Sequence, residues 1–251
     1  ANNHAMDHGP AGLRTTIEAC RRFGLDWVGA GEDLDEARRI LVRPAGGRRI
    51  GILALAEHEE LGIATRTNPG VNPLDVRDFV RNVRRHRESY DHLIVLFHGG
   101  TEHYPYPRPD FMDTCHFLVE EGTSAVICQQ SHCVGCYEVY QGAPIVYGQG
   151  NFLFDYPSPH LGFHEGILVL LEVREGVGLG LRVVPYVQSD GRPGVRRMRG
   201  DEERQCDERG GEAGHGYSIP MASQYHRSAS GARRTSTTNV LRIMAPYAFW
   251  Q

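Results

Sequence analysis

Asp91-His92-Leu93-Ile94-Val95-Leu96-Phe97-His98-Gly99-Gly100 decides how this chain is read. Leu93 to Phe97 is an unbroken apolar run that ends abruptly in a histidine and two glycines. Such a run, rich in branched side chains and bounded by turn residues, reads as a strand buried on both faces. The pattern recurs downstream: Ala125-Val126-Ile127 runs into Cys128-Gln129-Gln130-Ser131-His132, and Ile145-Val146-Tyr147 into Gly148-Gln149-Gly150-Asn151. Between the first two runs, Asp110–Glu121 carries Phe111, Cys115 and Leu118 on one helical stripe and stops at Gly122. Strand, helix, strand is a parallel crossover, and open α/β sheets hold ligands beyond the carboxyl ends of their strands. The prediction is an α/β fold with His98, His132 and Asn151 at one rim.

Upstream, a helix opens near Pro10 with Leu13, Ile17 and Cys20 on one face and Gly24 as its stop. Asp26–Gly29 reads as a short strand and Leu34–Ile40 as a helical turn or two. Ile40–Val42 and Arg49–Leu55 flank Ala45-Gly46-Gly47, a hairpin signal. Glu57-His58-Glu59-Glu60 stands at the end of that second strand, followed by a turn-rich link and a helix over Leu74–Arg87. Downstream, Gly166–Val173 and Leu179–Val187 read as two more strands. From about Gln188 the composition turns to Gly, Arg, Ser and Glu, so one domain over 1–187 and an irregular, flexible tail over 188–251 are expected.

At 251 residues and 40% hydrophobic content, with no apolar run near membrane-spanning length, the sequence reads as soluble and without a transmembrane segment. Its net charge of −4, with both signs well mixed, gives no electrostatic case for nucleic acid. All 27 basic residues are Arg, which excludes a Walker-type phosphate loop and any Lys nucleophile or Schiff base. The six cysteines are scattered rather than framework-like and read as free thiols of a reducing compartment.

Imidazoles and amide oxygens at strand ends are donors a borderline divalent metal takes, and a hydrolytic site leaves one position open for water. His98, His132 and the Asn3-His4 pair stand in such places. Glu102, four residues past His98, is placed to hold an imidazole tautomer. Cys133-Val134-Gly135-Cys136 with Cys128 admits a zinc knuckle or a redox pair, but no second pair stands at suitable spacing, and small buried thiols are the simpler reading. Gly148-x-Gly150-Asn151 is too short for a dinucleotide fingerprint and reads as a tight turn presenting Asn151 and, beyond Phe154, Asp155. Tyr104-Pro105-Tyr106-Pro107-Arg108-Pro109 is an extended, ring-rich loop, either a cleft wall or a rigid connector.

Four blocks in order carry a family likeness: Asn2-Asn3-His4-Ala5-Met6-Asp7-x-Gly9; His98-Gly99-Gly100-x-Glu102-His103-Tyr104; Ser131-His132-Cys133; and Tyr137-Glu138-Val139-Tyr140 running on to Tyr147-Gly148-x-Gly150-Asn151-Phe152. Glu57-His58-Glu59 and Pro69–Pro73 add to it. Over roughly residues 1–200 the chain resembles the CapA family of bacterial poly-γ-glutamate capsule synthesis proteins. That family is similar to the calcineurin-like metallophosphoesterases. The resemblance implies a four-layer α/β/β/α sandwich around a two-metal site, here N-terminally truncated, since the segment bringing the bridging aspartates would lie upstream.

It further implies Asn3, His98 and His132 as metal ligands and His4 as the acid that protonates a leaving oxygen. Asp7, Glu57, Glu102, Gln130 and Asn151 become supporting or substrate contacts. Where relatives carry two consecutive histidines, this chain has Gln129-Gln130, and a neutral amide binds a divalent ion more weakly than imidazole. The expected cofactors are divalent Mn, Fe or Zn. The expected substrate is a polymer or a small phosphoester, in the cytoplasm or at the bacterial cell surface. The competing reading is a non-catalytic binding component that keeps the fold with a degenerate metal site.

Overall fold

Gly46 and Gly47 both adopt positive φ (59° and 72°), the backbone of a two-residue type I′ turn. That turn fixes the register of the hairpin the sequence announces. In this computed structural model, β2 (Leu41–Ala45) pairs antiparallel with β3 (Arg48–Ala56), with Ala45 opposite Arg48 and Leu41 opposite Ile52. The structure describes residues 1–57, 62–154, 157–160, 162–174, 178–188, 194–211 and 240–243. His58, Glu59, Glu60 and Asp155 lie outside them, as does most of the segment after residue 211.

The chain divides into two units, residues 1–99 with 117–126, and residues 100–116 with 127–251. The fold is mixed α/β with a central sheet. In the first unit β3 pairs in parallel with β5 (His92–His98), Ile50 facing His92 and Ala56 facing His98, so the two strands finish together. Leu93, Ile94, Val95 and Phe97 of β5 are fully buried, as a parallel strand covered on both faces requires. Each such side chain contributes roughly 1.5–3 kcal/mol over leaving it in water.

The crossover between β3 and β5 contains β4 (Gly70–Val71) and α3 (Val76–Arg85). The Asp75 carboxylate accepts from the backbone N–H groups of Arg77 and Asp78, starting α3 at Val76, two residues later than the expected Leu74, and Phe79 and Val83 carry its apolar face. The amino-terminal helix α1 (Gly9–Arg22) buries Leu13 and Ile17. The strand expected at Asp26–Gly29 instead forms at Ala30–Gly31 (β1), paired with β4. Trp27 is held by the guanidiniums of Arg21 and Arg39 over its ring (5.0 and 5.2 Å) rather than by a ladder. Asp33 caps the short α2 (Leu34–Ala37) through the N–H of Glu36.

Helix α4 (Pro109–Glu120) buries Phe111, Cys115 and Leu118, the expected stripe. It leads into β6 (Ala125–Gln129). In the second unit the strand order is β6, β8 (Ala143–Val146), β7 (Tyr137–Tyr140), the last two a hairpin turning at Gln141-Gly142. Glu138 of β7 accepts from His116 Nε2 of α4 at 2.7 Å and from the Tyr147 hydroxyl at 2.6 Å, pinning the start of the Gly148–Asn151 loop. The ring-rich loop is anchored too, since Cys136 donates its N–H to the Pro105 carbonyl (2.9 Å).

A second sheet of this unit runs β11 (Val195–Arg197), β10 (Gly178–Gln188), β9 (Glu165–Arg174), β12 (Val240–Ile243). Its centre is the long β9–β10 hairpin, matched from Glu165–Val187 to Arg174–Gly178. Beyond residue 188, a stretch read from composition as irregular, the described residues hold β11, β12 and the helix α5 (Asp201–Gly211). Charge conceals two of these, because β11 is an edge strand of two arginines and a valine, and α5 opens on Asp201, Glu202 and Glu203. No helix among the described residues is long and apolar enough to cross a membrane.

Candidate functional site

In the first unit the site grows from the shared end of β3 and β5. Glu57, just past β3, donates its N–H to the carbonyl of His98, the last residue of β5 (2.8 Å). A short 3-10 turn over Asn3–Met6, capped by Asn2 Oδ1 on the N–H of His4 (2.7 Å), brings Asn3 to the same strand end. His98 Nε2 donates to Asn3 Oδ1 at 2.9 Å, with His98 only 2% exposed. His4 lies in the same turn, its Nδ1 2.9 Å from Asp7 Oδ2, and both side chains are about half exposed. The carboxylate on Nδ1 fixes the orientation of an imidazole that solvent can reach.

In the second unit the loops after β6 and β8 meet. Asn151, 1% exposed, donates from Nδ2 to the carbonyls of Phe163 (2.8 Å) and His132 (3.3 Å). Its Oδ1 can therefore only accept, and His132 Nδ1 supplies the proton at 2.8 Å. In the neutral ring the lone pair is then confined to Nε2, the arrangement in which histidines meet metals or protons. Gln130, 7% exposed, donates from Nε2 to Glu102 Oε1 (2.9 Å), so the partner of Glu102 is Gln130. Gln129 donates to Gln149 (3.1 Å).

Two further residues, singled out by no sequence argument, belong to this cluster. His103 stacks on His160 with ring centroids 3.8 Å apart and lies 5.6 Å from His132. Its Nδ1 is buried with no hydrogen-bond partner among the described residues. Burial first, then the neighbouring His160 and His132 imidazoles, lower its affinity for a proton. His103 stands inside the His98–Tyr104 block and could have been weighed with it; His160 sits in a stretch without a motif. His103, Gln130 and His132 all hold positive φ (57°, 119°, 52°), a strained backbone of the kind that collects at functional loops.

The donors suit a divalent cation pair by pair. Two ligands each about 2.1 Å from one ion stand about 3 Å apart at a right angle, and the Asn3 oxygen and His98 nitrogen are 2.9 Å apart. His132 has its Nδ1 satisfied by Asn151. Among the described residues no three His, Cys, Asp or Glu side chains gather as a cage, because the companions of these imidazoles are amides. Thiolate ligation fits poorly: burial pushes the Cys133 and Cys136 thiols up to about 11, and buried Cys115 and Cys128 keep to each other at 3.8 Å.

Asn3 is thus joined to His98, His4 to Asp7, Glu57 to the backbone of His98, Gln130 to Glu102, and His132 to Asn151. With that geometry in place, residues 1–156 match the family described as bacterial capsule synthesis protein PGA_cap. The chain is similar to the capsule biosynthesis protein CapA of Bacillus anthracis, 28% identical over 77% of this chain and 48% of the relative. It is 34% identical to a "probable polyglutamine synthesis accessory protein" of Mycobacterium tuberculosis over 82% of this chain and 57% of that one. Among solved structures, the NAD nucleotidase of Haemophilus influenzae aligns with a TM-score of 0.42 at 11% identity, over 90% of this chain and 43% of that one. The chain spans about half the length of the two relatives named.

Proposed function

The chain belongs to the bacterial capsule synthesis protein family PGA_cap, and from that premise we propose that it is a metal-dependent hydrolase acting in the synthesis of a poly-γ-glutamate-type cell-surface polymer. Asn3 and His98 would hold a divalent Mn, Fe or Zn ion, and His132 is a further candidate ligand. When bound, such an ion supplies Lewis acidity and a water that ionises near neutral pH. His4 gives a proton to the leaving oxygen or nitrogen of a phosphoester or amide bond, and Asp7 holds the imidazole for that transfer. Asn151 keeps His132 in one tautomer. Glu57 and Glu102 serve as supporting or substrate contacts.

The observation that carries this reading is the 2.9 Å approach of Asn3 Oδ1 to the buried His98 Nε2. The test is metal content and hydrolysis of model phosphodiesters and γ-glutamyl amides by the parent and by His98→Ala. Metal at or near stoichiometry, with both metal and turnover lost in the variant, supports the proposal. Metal-free protein, or turnover that His98→Ala leaves unchanged, sinks it. A second reading, a binding component without catalysis, is favoured by Gln130, a neutral amide committed to Glu102. It predicts polymer binding with neither metal nor turnover.

A further inference from the structure

Asp78, Arg81, Asn82 and Arg85 recur on α3 at the three-and-four spacing that aligns side chains along one helical face. That face lines a cleft of about 860 Å³ in the first unit, completed by α2, by Arg38, Arg39 and Ile40 after it, and by Arg66. None of the candidate cation ligands lines it. Five arginines face it against two aspartates, Asp35 and Asp78, in a chain whose net charge is −4.

The two aspartates are already engaged. Arg38 pairs with Asp35 and approaches Asp78 at 3.7 Å, and Arg81 reaches Asp78 at the same distance. Asn82 donates to the Arg38 carbonyl at 2.8 Å, tying one wall to the other. Arg66 and Arg85 have no carboxylate partner among the described residues. Several arginines elsewhere are tied down, Arg14 to Glu32, Arg43 to Asp26, Arg49 to Asp91 and Arg196 to Glu202, while others such as Arg22, Arg48 and Arg77 stand on the surface rather than gathered in the cleft. Among the described residues, the cleft thus holds more guanidinium charge than its own carboxylates neutralise.

We propose that this cleft binds an extended acidic chain, with Arg66, Arg81 and Arg85 taking successive carboxylates. The planar guanidinium fork can donate two parallel N–H bonds to a carboxylate, and Arg38 already meets each of the cleft's own aspartates through one nitrogen. The volume suits several residues of a chain rather than one small anion. No Phe, Tyr or Trp lines the cleft, so it offers no platform on which nucleic-acid bases would stack. The site is independent of the cation reading, and its test reads binding alone.

Short fluorescent poly-L-glutamate is titrated into the 251-residue chain at low and at physiological salt. The expected result is saturable binding, weakened about tenfold or more in Arg66→Ala/Arg85→Ala, as loss of two charge-assisted contacts implies. Arg84→Ala, which removes a guanidinium pointed at Glu121 outside the cleft, binds like the parent. The polar but uncharged Arg66→Gln/Arg85→Gln repeats the loss with an unchanged melting curve, which separates charge from folding. Binding that survives both double variants overturns the assignment, as does no binding at all. Single-stranded DNA or polyphosphate of equal charge binding as tightly, with the same loss in the variants, also overturns it by showing a general anion field.

Discussion

His132 donates from Nδ1 to Oδ1 of Asn151, and Asn151 cannot turn its amide over to reverse that bond. Its nitrogen is occupied by the carbonyls of His132 and Phe163 in a side chain 1% exposed. Asn151→Ala therefore strips partners from buried groups on both sides. The expected cost is about 1–3 kcal/mol, read as a lower urea midpoint with an unchanged slope. Nitrogen NMR of the variant should show His132 populating both neutral tautomers. A parent-like midpoint together with a pure Nδ1–H ring would show that the amide does not clamp this histidine.

Gly99 follows His98 in a place where a methyl group does not fit. A Cβ there would stand 2.6 Å from Glu57 Cγ and 2.8 Å from Glu57 Oε2. The obstructing atoms belong to a flexible side chain, so Gly99→Ala should displace the Glu57 carboxylate and leave the strand intact. The stability change is expected to stay within about 1 kcal/mol. Cation affinity, if Glu57 supports the proposed site, should fall by about 10–100-fold. Calorimetric titration with Mn or Zn checks this; parent-like affinity would place Glu57 outside the cation's surroundings.

The strand under this site was legible because burial on both faces writes an unbroken apolar run, Leu93 to Phe97, ended by His98-Gly99-Gly100. The Gly46-Gly47 turn was legible because only glycine takes positive φ twice at so little cost. Contacts between distant residues left no local signature. The pairing of Glu102 with Gln130, 28 positions apart, and the stack of His103 on His160 follow from how loops fold back, which no periodicity records. β1 and β4 are too short to show a period, and β11 and α5 are too charged to look ordered. The places of His132 and the Asn3-His4 pair suggested metal donors, and the family likeness went further by implying His4 as the acid.

Cys133 and Cys136 are the residues a zinc knuckle would need, and burial opposes it by raising both thiols to about 11. At pH 8 almost no thiolate is present on either. Iodoacetamide should modify them slowly in the native protein and quickly after unfolding. Addition of EDTA or of Zn should leave melting unchanged, and Cys136→Ser should not alter that insensitivity. A chelator-dependent fall in melting temperature that Cys136→Ser abolishes would restore a structural thiol site.

Arg49 and Asp91 join the first residues of β3 to the residue before β5, by a side-chain bond of 2.9 Å and a backbone N–H bond of 2.7 Å. Those bonds, the side-chain one foremost, hold the Asp91 carboxylate down at about 2. A carboxylate whose folded value lies below its unfolded value of about 3.9 stabilises the fold above that unfolded value. The stabilisation fades as pH falls through the folded value. Arg49→Met should therefore melt below the parent by a constant margin from neutrality down to about pH 5, with the gap closing between about pH 4 and pH 2. The pair is exposed, so the margin is small and shrinks with added salt. Melting curves of parent and variant across that range check the sign, and a gap that widened toward low pH would reverse the assignment.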